Sequence, residues 1–355
     1  MAGKPKAGRT TAKPTIAIVG AGSLATFLAV ALDDAGFTIT EIVSRDSPPS
    51  RRKAQKLAVK VGAQAVTADS AALDATLLWF SVPDREIRGA ASALAARLAV
   101  CALPVETGLA PSPLRVVPIP STGDAASRVS TGAFHKQGRP HAKRDYKVRF
   151  AFHSSGALSS RELAPLRSAG AEVASVHPLM TFVAGARPSL TGVPFAVEGD
   201  APATRVARRI VRQLGGESFA LPSSRKAAYH AWATMTSPLL LAYLVTLEEA
   251  AHVAGLSRQD ARRTSLPIIR QTLANYSRLG PARSFSGPMV RGDAETVAKH
   301  LAALKKHPGA RQVYVALARA ALRGLPVKNR DGLNQLLQDF NGGFERSSQL
   351  ARRRL

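Results

Sequence analysis

The stretch Thr15 to Leu32, TIAIVGAGSLATFLAVAL, constrains this chain more than any other. Ile16 to Val19 is a short β-rich apolar run, Gly20-Ala21-Gly22 is a tight turn, and helical apolar spacing begins at Leu24. Strand, turn and helix meet in the pattern G-x-G-x-x-A. Gly20 permits the sharp turn, and Gly22 lets a pyrophosphate approach the backbone. Ala25 stands where a small residue lets helix and strand pack closely. The free amides of Ser23, Leu24 and Ala25, at the positive end of the helix dipole, then face the phosphates. A glycine turn alone is a weak signal. Here the strand before it and the helix after it are both present, so the pattern predicts dinucleotide binding.

A second strand, Thr38 to Val43, ends in Ser44-Arg45-Asp46. This lies about twenty residues beyond the turn, where NAD enzymes place an acid on the ribose 2′-hydroxyl. Ser44 followed by Arg45 suits a 2′-phosphate instead, held by charge-assisted bonds from the guanidinium. The expected cofactor is therefore NADP rather than NAD, a preference that reverses if Asp46 is the ribose ligand. Arg51-Arg52-Lys53 either assist or begin a solvated helix.

The pattern continues with a helix at Ala54 to Val61, a short strand at Ala63 to Val66, a cap at Asp69 or Ser70, and a helix at Ile87 to Val100. Thr76 to Val82, TLLWFSV, is a continuous apolar run of the kind buried on both faces of a parallel sheet. Ligands of such sheets sit beyond the strand C-terminal ends, which puts Ser81, Val82 and Pro83 beside the nicotinamide half. Strands follow at Val148 to Phe152, Glu172 to Val176, Phe195 to Glu198 and Ser218 to Leu221, with a helix at Ala203 to Leu214. After Ser223 strand signals vanish. Helices are expected at Lys226 to His252, Arg258 to Tyr276, Ala294 to Lys305, Arg311 to Leu322 and Leu333 to Phe340. The architecture is an α/β Rossmann-type parallel sheet domain, 15–222, followed by an all-α domain, 223–342. Long apolar helix faces in the second domain imply a homodimer built through it.

At 355 residues the chain is long enough for two domains. Cys101 is its one cysteine. That excludes an intramolecular disulfide and any multi-cysteine metal site, and fits a reducing, cytoplasmic setting with Cys101 as a small buried hydrophobe. No zinc pattern appears, so no metal is expected. No run of about 18 apolar residues exists, so no membrane span is expected. Residues 1–14 and 343–355 read as basic tails, the first without the apolar core of a secretory signal. Lys and Arg number 49 against 24 Asp and Glu, a net charge of +25 that raises a polyanion partner. The charge is dispersed, with no aromatic interleaving and no nucleic-acid motif, so it reads as a solvated basic surface. Residues 103–147 are Pro-rich and basic and read as a surface insertion.

Hydride transfer to a carbonyl or imine needs an oriented nicotinamide, an acid for the developing alkoxide or amine, and donors that hold the substrate. His153, Ser154 and Ser155 follow one strand end, where hydroxyls and amides can bind a carboxylate. His177 follows the next strand and either enters the cleft or, with Pro178, makes a turn. Lys226, His230, Thr234 and Ser237 lie at i, i+4, i+8 and i+11, a polar stripe on an apolar helix. His230 is the candidate general acid and Tyr229 the alternative. The plainer reading makes Lys226 solvent-facing and His230 a hydrogen-bonded helix residue. Arg291, in a loop between helices, is available to an anionic substrate, while Asp293 reads equally as a helix N-cap paired to it.

FHSSGALSSRELAPLRSAGAEVASVHPLMTF, GVPFAVEGD, AAYHAWATMTSPLL and LGPARSFSGPMVRGDAETVAKHL resemble a group of Rossmann-like proteins carrying the domain of unknown function 2520. The resemblance covers nearly all of the chain except the first 13 residues and 103–147. It implies an N-terminal NAD(P)-binding domain and a helical dimerisation domain like the C-terminal domain of 6-phosphogluconate dehydrogenase. The architecture is similar to that of pyrroline-5-carboxylate and ketopantoate reductases, and implies an NADP-dependent oxidoreductase with its substrate in an interdomain cleft. In those enzymes a helix in this region supplies the catalytic side chain, often lysine; here His230 takes that place, with Lys226 one turn earlier. A non-catalytic NADP-binding sensor or regulator, and a polyanion binder on the same scaffold, are the alternatives.

Overall fold

The computed structural model describes residues 13–101, 147–183, 185–186 and 188–338. Residues 1–12, 102–146 and 339–355 lie outside it, as does the Cys101 side chain, so the expected insertion, the C-terminal tail and most of the N-terminal tail are not among the described residues. The chain divides into two compact units, one ending at Ala233 and the other beginning at Thr234.

The first unit holds eight strands: β1 (Ile16–Val19), β2 (Ile39–Ser44), β3 (Gln64–Thr67), β4 (Leu77–Phe80), β5 (Phe150–His153), β6 (Glu172–Pro178), β7 (Pro194–Gly199) and β8 (Glu217–Ala220). They form one sheet in the order β3-β2-β1-β4-β5-β6-β7-β8. The first six are mutually parallel. The chain winds outward in both directions from β1 and β4, which makes that junction the switch point of a Rossmann-type sheet. β7 departs from the expected parallel pattern and runs antiparallel to β6, with β8 parallel to β7. Among the described residues the connection from β6 to β7 contains no crossover helix, the usual means of a parallel return.

Among the described residues the helices that cover the sheet are α1 (Ser23–Asp34), α2 (Pro48–Lys60), α3 (Asp84–Cys101), α4 (Ala164–Ser168) and α5 (Ala201–Gln213). Alternation within strands sorts side chains between two cores. Ile16, Ile18, Leu77 and Trp79 pack toward α1, α2 and α5, while Ala17, Val19, Leu78 and Phe80 pack toward α3 and α4. That is why the 76–82 run is apolar throughout. α2 starts six residues before the expected point, because Pro48 and Pro49 fit the first turn. Neither Asp69 nor Ser70 caps a helix. Ser70 Oγ accepts the Thr67 N–H at 3.0 Å and closes a turn.

The helix expected over 226–252 is two. α6 (Lys226–Thr236) ends before Ser237, and α7 (Pro238–Val253) begins with proline, which lacks the amide needed to continue the ladder. The second unit continues with α8 (Arg258–Leu279), α9 (Pro281–Ser284), α10 (Pro288–Arg291), α11 (Ala294–Ala303) and α12 (Pro308–Gly324), and residues 330–338 are helical. Val297, Leu301, Val315, Leu322, Leu333 and Leu337 form its core. Among the described residues no single helix is long and apolar enough to cross a membrane.

Candidate functional site

At the end of β1 the backbone turns sharply and leaves space. Gly20 donates its N–H to Val43 O at 2.8 Å and sits at φ +116°, a conformation side chains disfavour. A β-carbon there would meet Ser81 O at 2.6 Å, so the exit of β4 also demands glycine. Gly22, the N-cap of α1, faces open space, with no atom within 4 Å of where a β-carbon would stand. No side chain caps this helix and its first turn carries no acid, so its leading amides keep their positive character. Ser23 is exposed, Leu24 half-buried, and Ala25 fully buried against the sheet. Ser81 Oγ is buried and has no hydrogen-bond partner. Val82 stands against Gly20, and exposed Pro83 begins the turn into α3.

At the end of β2, Ser44 Oγ donates to the Arg45 carbonyl at 3.3 Å. The Arg45 guanidinium is 70% exposed and pairs with Glu86 at 3.1 Å. Asp46 pairs with Arg51.

β1, β4 and β5 finish level, with Val19 opposite Phe80 and Phe80 opposite His153, while β6 runs three residues beyond Ser175, the partner of His153. Beyond β5 and β6 the polar groups converge. His153 is fully buried and donates from Nε2 to Ser159 O at 2.9 Å. Its Nδ1 accepts the Ser155 N–H at 3.1 Å. Burial holds its pKa down to about 4, against the raising effect of the Ser159 bond. Lys226, 1% exposed at the first turn of α6, donates from Nζ to Ser155 O at 2.7 Å and to Ser175 Oγ at 2.6 Å. Burial lowers its pKa to about 8, opposed by Glu198 and Asp84. His177 Nδ1 lies 2.8 Å from the Tyr229 hydroxyl. Burial, followed by the charge of Lys226, lowers His177 to about 3. Burial raises Tyr229 to about 12. The rings of His177 and His230 meet edge to face at 6.0 Å. Both press on Gly156, where a β-carbon would stand 2.4 Å from His230 Cδ2 and 2.8 Å from His177 Nε2.

This geometry revises several sequence expectations. His153 has no ring nitrogen left for a substrate and serves to brace the loop that follows it. Ser154 Oγ accepts the Trp79 indole N–H at 2.9 Å, and Ser155 Oγ accepts the Leu158 N–H at 2.9 Å, so both hydroxyls are engaged within the protein. The loop that carries them meets α6 at Lys226 and His230. Lys226 is not solvent-facing, because its amine is the donor that ties this loop to β6. Ser237 leaves the stripe, since it sits at the break before α7 with φ −128° and ψ −72°. Arg291 is exposed and ends the four-residue α10 in the second unit. Asp293 is the N-cap of α11 and accepts the Thr296 N–H at 3.0 Å.

Ser175 belongs to this cluster and was not anticipated. Its signal was a small hydroxyl residue in a buried strand, two positions before His177 and therefore on the same sheet face. Among the described residues no group of three or more His, Cys, Asp or Glu side chains is placed to hold a metal ion.

Residues 1–106 match the Rossmann-like domain, and residues 193–321 match the domain of unknown function DUF2520. No curated protein matches the sequence. Among solved structures, a proposed NADP oxidoreductase from Bacteroides fragilis superposes with a TM-score of 0.61 at 20% identity, covering 87% of this chain and 97% of that one. A Thermotoga maritima protein gives 0.57 at 20% identity, covering 92% and 99%. A reductive aminase from Aspergillus terreus, in complex with NADPH and ethyl-5-oxohexanoate, gives 0.55 at 15% identity, covering 91% and 99%. At these identities the likeness carries the fold, a Rossmann-type sheet domain followed by a helical one.

Proposed function

We propose that this chain, which joins a Rossmann-like domain to the DUF2520 domain, is an NADPH-dependent oxidoreductase acting on a small carbonyl or imine. One observation carries the reading: an open glycine turn and a His177–Tyr229 pair beside buried Lys226 lie at the C-terminal edge of one sheet. Parallel strands lie about 4.8 Å apart, so β1 and β6 stand roughly 14 Å apart across the sheet. The fit to a dinucleotide rests on the cradle at Gly22 and on the orphaned hydroxyl of Ser81, the residue that stands against Gly20. The amides of Ser23 and Leu24 would hold the diphosphate, Ser44 and Arg45 the 2′-phosphate, and Ser81 to Pro83 the nicotinamide side.

NADPH, when bound, supplies the hydride. The protein's part is to orient the substrate and deliver a proton. With the Tyr229 hydroxyl donating to Nδ1, neutral His177 carries its proton on Nε2, on the side facing Gly156. From there Nε2–H can bond the substrate oxygen or nitrogen without giving up its proton. His230, half-exposed beside it, delivers the proton as charge develops on that atom, and is reprotonated from solvent. Lys226 and His153 act through the Ser154–Gly156 loop, which they hold against β6 as positioning residues. The absence of a substituent at Gly156 leaves the two histidine rings room to present these edges.

The helical domain supports a homodimer. Among the described residues α7 buries none of its side chains, and Leu241, Ile268 and Tyr276 on α7 and α8 are each more than half exposed. Apolar faces of this extent on one chain favour a second copy as their cover.

The test follows NADPH absorbance with a panel of small ketones, keto acids and cyclic imines. We expect turnover with at least one, and a loss on the order of a hundredfold or more in kcat for His230→Ala with NADPH affinity unchanged. Tight NADPH binding with no turnover across the panel would instead favour a non-catalytic NADP sensor, and equal rates for wild type and His230→Ala would remove His230 as the acid.

A further inference from the structure

A cavity of about 950 Å³ lies in the first unit, away from the histidine cluster. It runs between α1, α2 and the segment that follows β6. Its floor is apolar, formed chiefly by Phe27 and Val30 of α1 with Phe182 and Leu190 opposite. The Phe27 and Phe182 rings pack at 5.0 Å. The volume matches sites that enclose a drug-sized molecule.

One wall has a distinct character. Lys53, Lys56 and Lys60 of α2 line it at i, i+3 and i+7, which puts them on one helix face. All three are exposed, and among the described residues none is ion-paired. Their aliphatic stems extend the apolar wall while the ammonium groups stand at its rim. Among the described residues Asp34 is the one acidic residue lining the cavity. A solvated lysine face needs no apolar floor beside it, and an apolar core needs no row of cations.

We infer that this groove binds an amphiphilic anion: a hydrocarbon body of fatty-acyl length along Phe27, Val30 and Phe182, with its carboxylate, phosphate or sulfonate among Lys53, Lys56 and Lys60. Charge complementarity sets the orientation of the ligand, and the apolar floor supplies most of its affinity. Ala21, Gly22 and Ser23 line one end of the same cavity. The inference concerns a site distinct from the proposed reaction centre and stands whether or not the chain is an enzyme.

The experiment is a calorimetric titration of the full chain with decanoate below its micelle concentration, beside decanol as the neutral match. Decanoate should bind at one site per chain, more tightly than decanol. The Lys53→Gln, Lys56→Gln, Lys60→Gln triple variant should weaken decanoate on the order of tenfold while leaving decanol within about twofold. These substitutions are on the surface, and unchanged circular dichroism would show that the fold is kept. Ala31→Phe, which narrows the groove without touching the lysines, should weaken both ligands. Equal losses for both ligands in the triple variant, or no effect of Ala31→Phe, would overturn the inference. So would stoichiometric displacement of decanoate by NADPH in the triple variant and wild type alike, which would make the groove part of the cofactor site. Flotation with phosphatidylglycerol vesicles, without binding of free decanoate, would overturn it in favour of a membrane surface.

Discussion

At the end of β1 the chain leaves space, and at the ends of β5 and β6 it fills it. The first region presents Gly22 over an open cradle, an uncapped helix N-terminus and a hydroxyl with no partner. In the second, His153, Ser155, Ser175 and Lys226 bond to one another and are all buried. The contrast separates two kinds of polar group that a sequence presents alike. Groups kept without partners await a ligand, because leaving them so costs free energy that binding returns. Groups already bonded hold the framework in shape. Where the second region reaches its surface, His177 Nε2 and the His230 ring flank Gly156.

Acid should expose this difference most strongly. His153 and His177 titrate near 4 and 3 when folded, against 6.5 when unfolded. Between 6.5 and 4 the unfolded chain binds protons that the folded chain refuses, so stability is intact above pH 6.5 and drains away as pH falls toward 4. Together the two groups link several kcal/mol, on the order of the stability of a whole domain. Lys226 works in another window. Its folded value of about 8 lies below the ordinary 10.5, so the cost of burying its charge is present at neutral pH and is relieved as pH rises from 8 toward 10.5. Urea midpoints at pH 7, 5.5 and 4.5 should fall steeply, and His177→Gln should flatten that fall. A midpoint at pH 4.5 equal to that at pH 7 would mean that these histidines are not buried in neutral form.

The glycine turn should instead respond to ligand, and its two glycines differ in what they hold. Gly20→Ala forces a methyl group against Ser81 O at a positive φ, and should cost about 2–4 kcal/mol of stability. Gly22→Ala meets no atom within 4 Å, at an ordinary φ of −79°, and should cost less than about 1 kcal/mol. Its methyl group occupies the cradle, so NADPH affinity should fall on the order of tenfold or more although the fold is kept. Thermal melts with and without NADPH separate the two, and a Gly22→Ala variant that binds NADPH normally would remove the cradle from the cofactor site.

The same contrast explains what could be read from the sequence. The open turn is local: a strand, three residues and a helix carry its whole geometry, so Gly20, Gly22 and Ala25 were legible as a set. The strands were legible because alternating and continuous apolar runs report burial directly, as in TLLWFSV. The filled region is not local. Lys226 reaches Ser155 across 71 residues and Ser175 across 51, and no spacing in the chain announces either bond. Read alone, a lysine at a helix start is solvent-facing and a Ser-Ser-Gly loop is a ligand site. Tertiary burial rules out the solvent-facing reading of Lys226 and adds partners to the loop that its own sequence does not show. The break at Pro238 lay in plain view, but the helical spacing on either side of it concealed the interruption.

The finest test falls at the end of β2, where the sheet edge is neither empty nor filled. Arg45 is engaged by Glu86 in a mostly solvated pair, which contributes less than about 1 kcal/mol to stability. Arg45→Ser should therefore leave the melting temperature nearly unchanged while lowering the preference for NADPH over NADH on the order of tenfold, since the 2′-phosphate loses its charge-assisted partner. Glu86→Gln should act in the opposite direction. With its competitor neutralised, the guanidinium is freer to meet the phosphate, and NADPH affinity should rise by about two- to threefold, more at low salt than at high salt. If both variants leave the NADPH-to-NADH ratio of wild type, Arg45 does not read the 2′-phosphate. Arg52, exposed at the start of α2, would then be the next residue to replace.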